Sequence, residues 1–331
     1  MIKMWTSRYE LHPWQVIGGV ADATPRSGAL LKVQWPNGNV GYADIFPWPE
    51  FGDVEISDQI RALSEGKISP LVEQSIWLAK KDAAWRRDRK NAHLGSSKIK
   101  NHFLVNDFTK FTDAHMKDTK SAGYTTLKIK VGRDVDEEGK FINKILKQNS
   151  VMVRLDFSGK TDFSEFERLI SHMGTGERAR IEFVEDPVPW HPEAWQEAAK
   201  MVPLALDMEY DKVNWEKFST RPPFQIVVLK PARVDMEKAL RWVNRFALKM
   251  VVSSSLDHPV GVAHACAQAV ELKKFYPNTL LDCGCLSIKV YKPNEFSNQI
   301  VTTGPFLKEI KGTGIGFDDL LEKMEWLPVK K

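Results

Sequence analysis

Cysteine is nearly absent: Cys266, Cys283 and Cys285 are the only three in 331 residues. Three thiols cannot form a paired framework, which excludes the disulfide-rich secreted class and agrees with a reducing compartment. They do not suggest a zinc centre, even with His264 offered as a fourth ligand, because the spacing matches none of the usual structural-zinc patterns. No apolar run is long enough to span a bilayer, and the opening Met1-Ile2-Lys3-Met4-Trp5 lacks the apolar core of a signal peptide. A cytoplasmic protein that does not engage membranes is the resulting expectation. A large excess of one charge is missing too. The net +4 neither demands nor excludes an anionic partner. The one basic cluster, Lys80 to Lys100, holds Arg86, Arg87, Arg89 and Lys90 without interleaved aromatics on which bases could stack. It reads as a solvated helix end and linker, not a nucleic-acid surface.

What is present is alternation. From about His102 onward, short β-prone runs alternate with amphipathic helical stretches, the pattern of repeated βαβ units and a parallel sheet. Candidate strands are His102–Val105, Thr125–Val131, Val151–Leu155, Ile181–Val184, Pro203–Leu206, Gln225–Leu229, Met250–Ser253 and Thr279–Asp282. Eight strands suggest closure into an α/β, TIM-like (β/α) barrel. Helical stripes between them include Ile142, Ile145 and Leu146, then Leu240, Val243 and Ala247, then Val262, Ala265, Cys266 and Ala269.

Residues before about 97 differ. Alternating runs at Leu30–Gln34 and Val40–Asp44 flank Pro36-Asn37-Gly38-Asn39, which predicts an antiparallel hairpin, with helices near Ile60–Leu63 and Pro70–Arg87 to follow. The tail, Val301–Lys331, has no barrel-like unit and is expected to return to the amino-terminal region. The domains predicted are thus an α+β capping domain, residues 1–97 with the tail 301–331, and a barrel over 98–300.

The ends of the predicted strands carry the chemistry. One run ends at Lys128-Ile129-Lys130, three at Asp156, Glu185 and Asp207, and another at Lys230. Ionisable groups at the carboxyl ends of parallel strands are how α/β barrels build active sites. Strand side chains alternate, so Lys128 and Lys130 share the interior face, where burial and mutual repulsion favour a neutral amine able to act as a general base. The three carboxylates can converge on one hard divalent cation, for which magnesium suits oxygen ligands and manganese is a substitute. Lysines opposed across such a metal fit removal of a proton next to a carboxylate.

At these residues the chain resembles the enolase superfamily, and within it the o-succinylbenzoate synthases of menaquinone biosynthesis. The resemblance covers nearly the whole chain. It implies Lys130 as the proton-abstracting base beside Lys128, Asp156, Glu185 and Asp207 as magnesium ligands, and Lys230 of Leu229-Lys230-Pro231 as the opposing lysine. Ser253-Ser254-Ser255 is similar to a segment that holds the substrate's succinyl arm. Ser27-Gly28 and Gly41 through Pro49 resemble the segment whose loops close over the substrate, so Trp48 and Phe51 would exclude water. Arg154, on the strand face of Asp156, would add positive charge to the substrate site.

The chain departs from the family at Asp44, where glutamate is common, at Phe157-Ser158, and at Met208, which leaves Glu209 as a rival to Asp207. The activity implied is magnesium-dependent dehydration of a succinyl-hydroxycyclohexadiene carboxylate, a small anionic substrate. An N-acylamino acid racemase or dipeptide epimerase of the same fold is the chief alternative, a muconate-type cycloisomerase a third reading, and a non-catalytic anion-binding barrel the reading from a different class. Oligomeric state is not legible.

Overall fold

Gln34 and Val40 face each other across the turn Trp35–Asn39, and from that hairpin the first sheet is built. The structure is a computed structural model describing residues 2–14, 17, 24–308 and 310–330. Strands β1 (Lys3–Leu11), β2 (Arg26–Gln34) and β3 (Val40–Ile45) form an antiparallel meander, followed by helices α1 (Ile56–Ser64) and α2 (Pro70–Arg87). Helix α2 starts on a Ser69 side-chain cap with Pro70 next, both favoured at that end. It lies so close to β3 that a Cβ on Gly41 would stand 1.9 Å from the Ala79 carbonyl. Ala29, Leu31, Val33, Ala43 and Ile45 meet Leu71, Val72, Leu78 and Ala79 in a separate small core.

The second sheet has seven parallel strands: β4 (Phe103–Val105), β5 (Thr126–Lys130), β6 (Met152–Asp156), β7 (Ile181–Glu185), β8 (Leu204–Leu206), β9 (Ile226–Leu229) and β10 (Lys249–Val252), neighbours in chain order. Helices α3 (Asp113–Ser121), α4 (Val135–Gln148), α5 (Phe163–Ser171), α6 (Thr175–Arg178), α7 (Pro192–Ala199), α8 (Met236–Phe246) and α9 (Pro259–Phe275) connect or follow them. Phe183, Ala205, Ile226, Val228 and Val251 plug the interior of the sheet, so it is a packed core and not a pore.

The eighth strand expected at Thr279–Asp282 is not one. That stretch makes only isolated parallel bridges, Leu280 to Met250, Cys283 to Asn101 and Gly284 to Ser253. Its backbone donates on one side to Met250 and Val252 and on the other to Lys100, filling the eighth position without forming a ladder.

Helix α9 is buried along nearly its whole length, not on one stripe, because the first sheet covers its other face: His264 Nε2 meets the Tyr42 carbonyl at 2.8 Å. Beyond it lie α10 (Glu295–Asn298), the β11–β12 hairpin (Thr302–Thr303, Phe306–Leu307) and α11 (Asp318–Lys323). The last strand, β13 (Leu327–Pro328), pairs antiparallel with β1.

One basic residue departs from the solvated cluster expected. Arg87, Arg89 and Lys90 are exposed, but Arg86 bonds Asp82 at 2.6 Å, Asp318 at 2.5 Å and the Gly316 carbonyl at 2.9 Å, tying α2 to the tail. Among the described residues no helix is long and apolar enough to cross a membrane.

Candidate active site

Register alone brings the charged strand ends together. Lys130 lies opposite Asp156, and Asp156 opposite Glu185, on adjacent parallel strands, so their side chains emerge at one rim. Lys128 Nζ stands 2.8 Å from Asp156 and 2.7 Å from Glu185, and Lys130 Nζ stands 2.6 Å from Asp156. Across the sheet, Lys230 at the end of β9 pairs with Asp207 at the end of β8. Lys130, Asp207 and Lys230 all line a cleft of about 640 Å³ at the rim, with Lys128 and Asp156.

Lys128 is not driven toward a neutral amine as the sequence predicts. Burial alone would lower the Lys128 pKa, but Asp156, Glu185 and Asp207 outweigh it and hold the ammonium charged, above the usual lysine range. The carboxylates diverge. Burial works to raise Asp156, yet Lys128 and Lys130 carry it well below the ordinary value, whereas burial and the neighbouring Asp156 push Glu185 well above it. Three carboxylates on adjacent strand ends thus share one buried region with Lys128, Lys130 and Lys230. That donor set fits a hard cation with oxygen preference. As placed, each carboxylate is drawn toward lysine, and among the described residues no three acidic, histidine or cysteine side chains are grouped to hold an ion.

Two neighbours complete the rim. Ser158 Oγ accepts from Lys130 at 3.0 Å, while its backbone N–H donates to Asp156 at 3.0 Å. Asp186, fully buried, accepts from the backbone N–H groups of Asp207 at 3.0 Å and Met208 at 2.8 Å. Burial and then Asp207 push its pKa up to about 7. Both residues sit at positive φ, Ser158 at 56° and Asp186 at 44°, a costly backbone state for a residue with a side chain. Asp186 was missed; a second acid directly after a strand-end acid was the available signal. Glu209 pairs with Lys212 at 2.9 Å and lines none of the clefts, whereas Asp207 does.

The loop after β3 folds over this rim. Trp48, 4% exposed, donates from Nε1 to the Ser255 carbonyl at 3.1 Å and from its backbone N–H to Asp53 at 2.7 Å. Arg233, just beyond β9, holds the same Asp53 at 2.5 Å. The Arg26 guanidinium lies 3.9 Å over the Trp48 ring, and Phe51 stacks on the same ring with centroids 5.5 Å apart. Trp48, Phe51, Ser254 and Ser255 line a second recess, about 1340 Å³, that also reaches Lys130, Asp207 and Lys230. Ser253 and Ser254 line the central cleft.

Arg154 requires a correction. It is fully buried, bonded to Glu182 at 2.6 Å, to His102 at 2.8 Å and to the Asp282 carbonyl at 2.7 Å, and it lines no cleft. Sharing a strand face with Asp156 put it inside the barrel but one layer deeper, below reach of a ligand.

Comparison with known proteins agrees with this layout. The family described as "O-succinylbenzoate synthase, N-terminal domain" matches residues 4–85, and "Enolase C-terminal domain-like" matches residues 112–319. An o-succinylbenzoate synthase from Bdellovibrio bacteriovorus is 41% identical over 330 residues, covering 100% of this chain and 99% of that protein. Two solved structures share the fold at low identity. One is a dipeptide epimerase from Enterococcus faecalis V583 complexed with Mg and the dipeptide L-Leu-L-Tyr (TM-score 0.77, 12% identity, 95% of this chain and 98% of that chain). The other is a muconate lactonizing enzyme from Mucobacterium Smegmatis complexed with muconolactone (TM-score 0.76, 14% identity, 97% and 98%). Matched from end to end by a relative and in order by both regions, the chain belongs to the o-succinylbenzoate synthase family of the enolase superfamily.

Proposed function

We propose that this chain is an o-succinylbenzoate synthase, a carbon–oxygen lyase that removes water from a succinyl-bearing hydroxycyclohexadiene carboxylate. The observation that carries the reading is the placement of Lys130 and Lys230 on β5 and β9, at one cleft, with Asp207 between them and Asp156 beside Lys130. The full-length relative supports the substrate class.

Asp156, Glu185 and Asp207 would hold magnesium. When bound, the ion supplies Lewis-acid stabilisation to the substrate carboxylate. Lys130 takes the proton alpha to that carboxylate. It is oriented by Ser158 Oγ at 3.0 Å. Lys230, as an ammonium, faces the negative charge that develops and stabilises it in the low-dielectric rim. Lys130 then returns its proton to the departing hydroxide, so a C–H and a C–OH bond are lost as water and a ring double bond forms. The Trp48 loop and the serines Ser253, Ser254 and Ser255 enclose the substrate. Three free, buried cysteines support a reducing cytoplasm as the place of work.

Purified protein with magnesium and the dehydratase substrate should yield a strongly ultraviolet-absorbing aromatic product. Lys130→Ala and Lys230→Ala should each lower kcat by about 10³-fold or more, with unchanged circular dichroism. Residual turnover near wild type in either variant would contradict the roles. An epimerase would instead wash solvent deuterium into the alpha carbon of both enantiomers of an N-succinyl amino acid.

A further inference from the structure

The central cleft has two distinct ends. Toward the loop after β3 it shares Lys130, Asp207, Lys230, Ser254 and Leu256 with the recess under Trp48. Away from it, His102, Leu104, Asn106, Leu286, Ser287 and Val290 are shared with another recess of about 1100 Å³. The two sets have no residue in common, so His102 stands at the end remote from the reacting lysines.

His102 precedes β4 and alternates with Leu104, so its ring shares the barrel interior. Its Nδ1 is 2.8 Å from Nη1 of Arg154. A guanidinium only donates, so Nδ1 must accept, and the one proton of the neutral ring belongs on Nε2. Arg154 has no freedom to yield: Glu182 takes its Nε at 2.6 Å and the Asp282 carbonyl its Nη1 at 2.7 Å. The ring's other edge lies against Gly284. A Cβ there would stand 2.7 Å from Cε1, 3.0 Å from Nε2 and 2.9 Å from Ser253 Oγ, so only a glycine lets ring and hydroxyl pack this close to its backbone, and all three residues line the cleft wall. Burial, then Arg154 and Lys128, hold the imidazole uncharged, well below the ordinary histidine pKa.

We propose that Nε2–H of His102 donates to an oxygen of the substrate's side arm, the end of the molecule remote from the abstracted proton, and that Arg154 is the positioning residue that keeps the proton on Nε2. The identity of the arm as succinyl rests on the proposed function; the direction of the hydrogen bond does not. A neutral donor beside three apolar walls recognises an arm oxygen without adding a further cation to a rim already holding three lysines.

The test compares two ligands by calorimetric titration in magnesium: o-succinylbenzoate, and 2-butylbenzoate, which keeps the ring carboxylate and the arm length but no arm oxygen. His102→Phe should weaken o-succinylbenzoate roughly tenfold or more and leave 2-butylbenzoate within twofold. His102→Gln, whose amide nitrogen reaches the position of Nε2, should recover most of the loss. In turnover, His102→Phe should raise KM with kcat within about threefold of wild type. Nitrogen-15 NMR should show a protonated Nε2 and bare Nδ1 in the wild type, and mixed tautomers in Arg154→Met. Equal weakening of both ligands, no weakening of either, or a ring protonated on Nδ1 overturns the proposal. His102→Met carries the same comparison if the Phe variant does not fold. Should the wild type bind and discriminate the two ligands through His102 yet fail to dehydrate, the proposed function falls and the recognition stands.

Discussion

Lys128 and Lys130 sit on one strand face two residues apart, and their surroundings separate their work. Lys128 is clasped by Asp156 and Glu185 and is 9% exposed, so it serves as a fixed counter-charge; Lys130, at 18%, keeps a hydroxyl partner and access to the cleft. Removing one member of a buried ion cluster leaves uncompensated charge. Lys128→Met should therefore destabilise the magnesium-free protein by about 3–5 kcal/mol, read by urea denaturation, and added magnesium should restore part of it. The strand-end positions of these residues were legible because a β-run ending on a charge marks a rim. The height of Arg154 was not, since alternation tells inside from outside but not the layer. The charge state of Lys128 was not legible either, because it depends on carboxylates 28 and 57 residues away in sequence, at Asp156 and Glu185.

At the scale of elements, the seven strands that formed are the first seven apolar runs of the alternating pattern, paired in chain order. The eighth run, Thr279–Asp282 with the residues just after it, divides its hydrogen bonds between Lys100 and Met250 instead of forming a ladder. The stripe read in α9 was real but incomplete, because sequence periodicity cannot see a second sheet packed on the opposite face. The loop after β3 is an element in its own right, pinned by one carboxylate to two structures: Asp53 holds both Trp48 and Arg233. Asp53→Ala should raise KM about tenfold while changing kcat less, since it loosens enclosure without touching a reacting atom; steady-state kinetics decides. Should kcat fall and KM stay fixed, the loop is part of the chemistry and not of the enclosure.

For the whole molecule, the join between the first sheet and the barrel carries a buried acid pair. Asp44, at the end of β3, accepts from the Tyr9 hydroxyl at 2.5 Å and from the His258 N–H at 3.1 Å. Its Oδ2 and that of Asp257 both approach the Cβ position of Gly261, at 3.0 and 2.5 Å. Burial first, and then each other's presence in the case of Asp44, raise both carboxyls; Asp257 is pushed up to about 7. A folded-state pKa above the unfolded one means the folded protein holds the extra proton, so νN exceeds νU and stability falls as pH rises. The contribution is complete below about pH 4, the unfolded value, and is lost as pH passes through 7. Urea denaturation from pH 5 to 8 should show wild type losing on the order of a few kcal/mol that Asp257→Asn does not lose. Parallel slopes for the two proteins would show that the pair is not a proton reservoir.

The pairing of Trp5 with Pro328 and of Thr6 with Leu327 sets the first and last strands side by side. A ribosome making this polypeptide supplies the partner of β1's outer edge only when it reaches Leu327 and Pro328, so a nascent chain that stops short of them exposes an unpaired edge. The same adjacency makes β13 and β1 natural to splice: a short glycine linker from one to the other, with the chain opened at the Pro36–Asn39 turn, should give a circularly permuted enzyme that still folds.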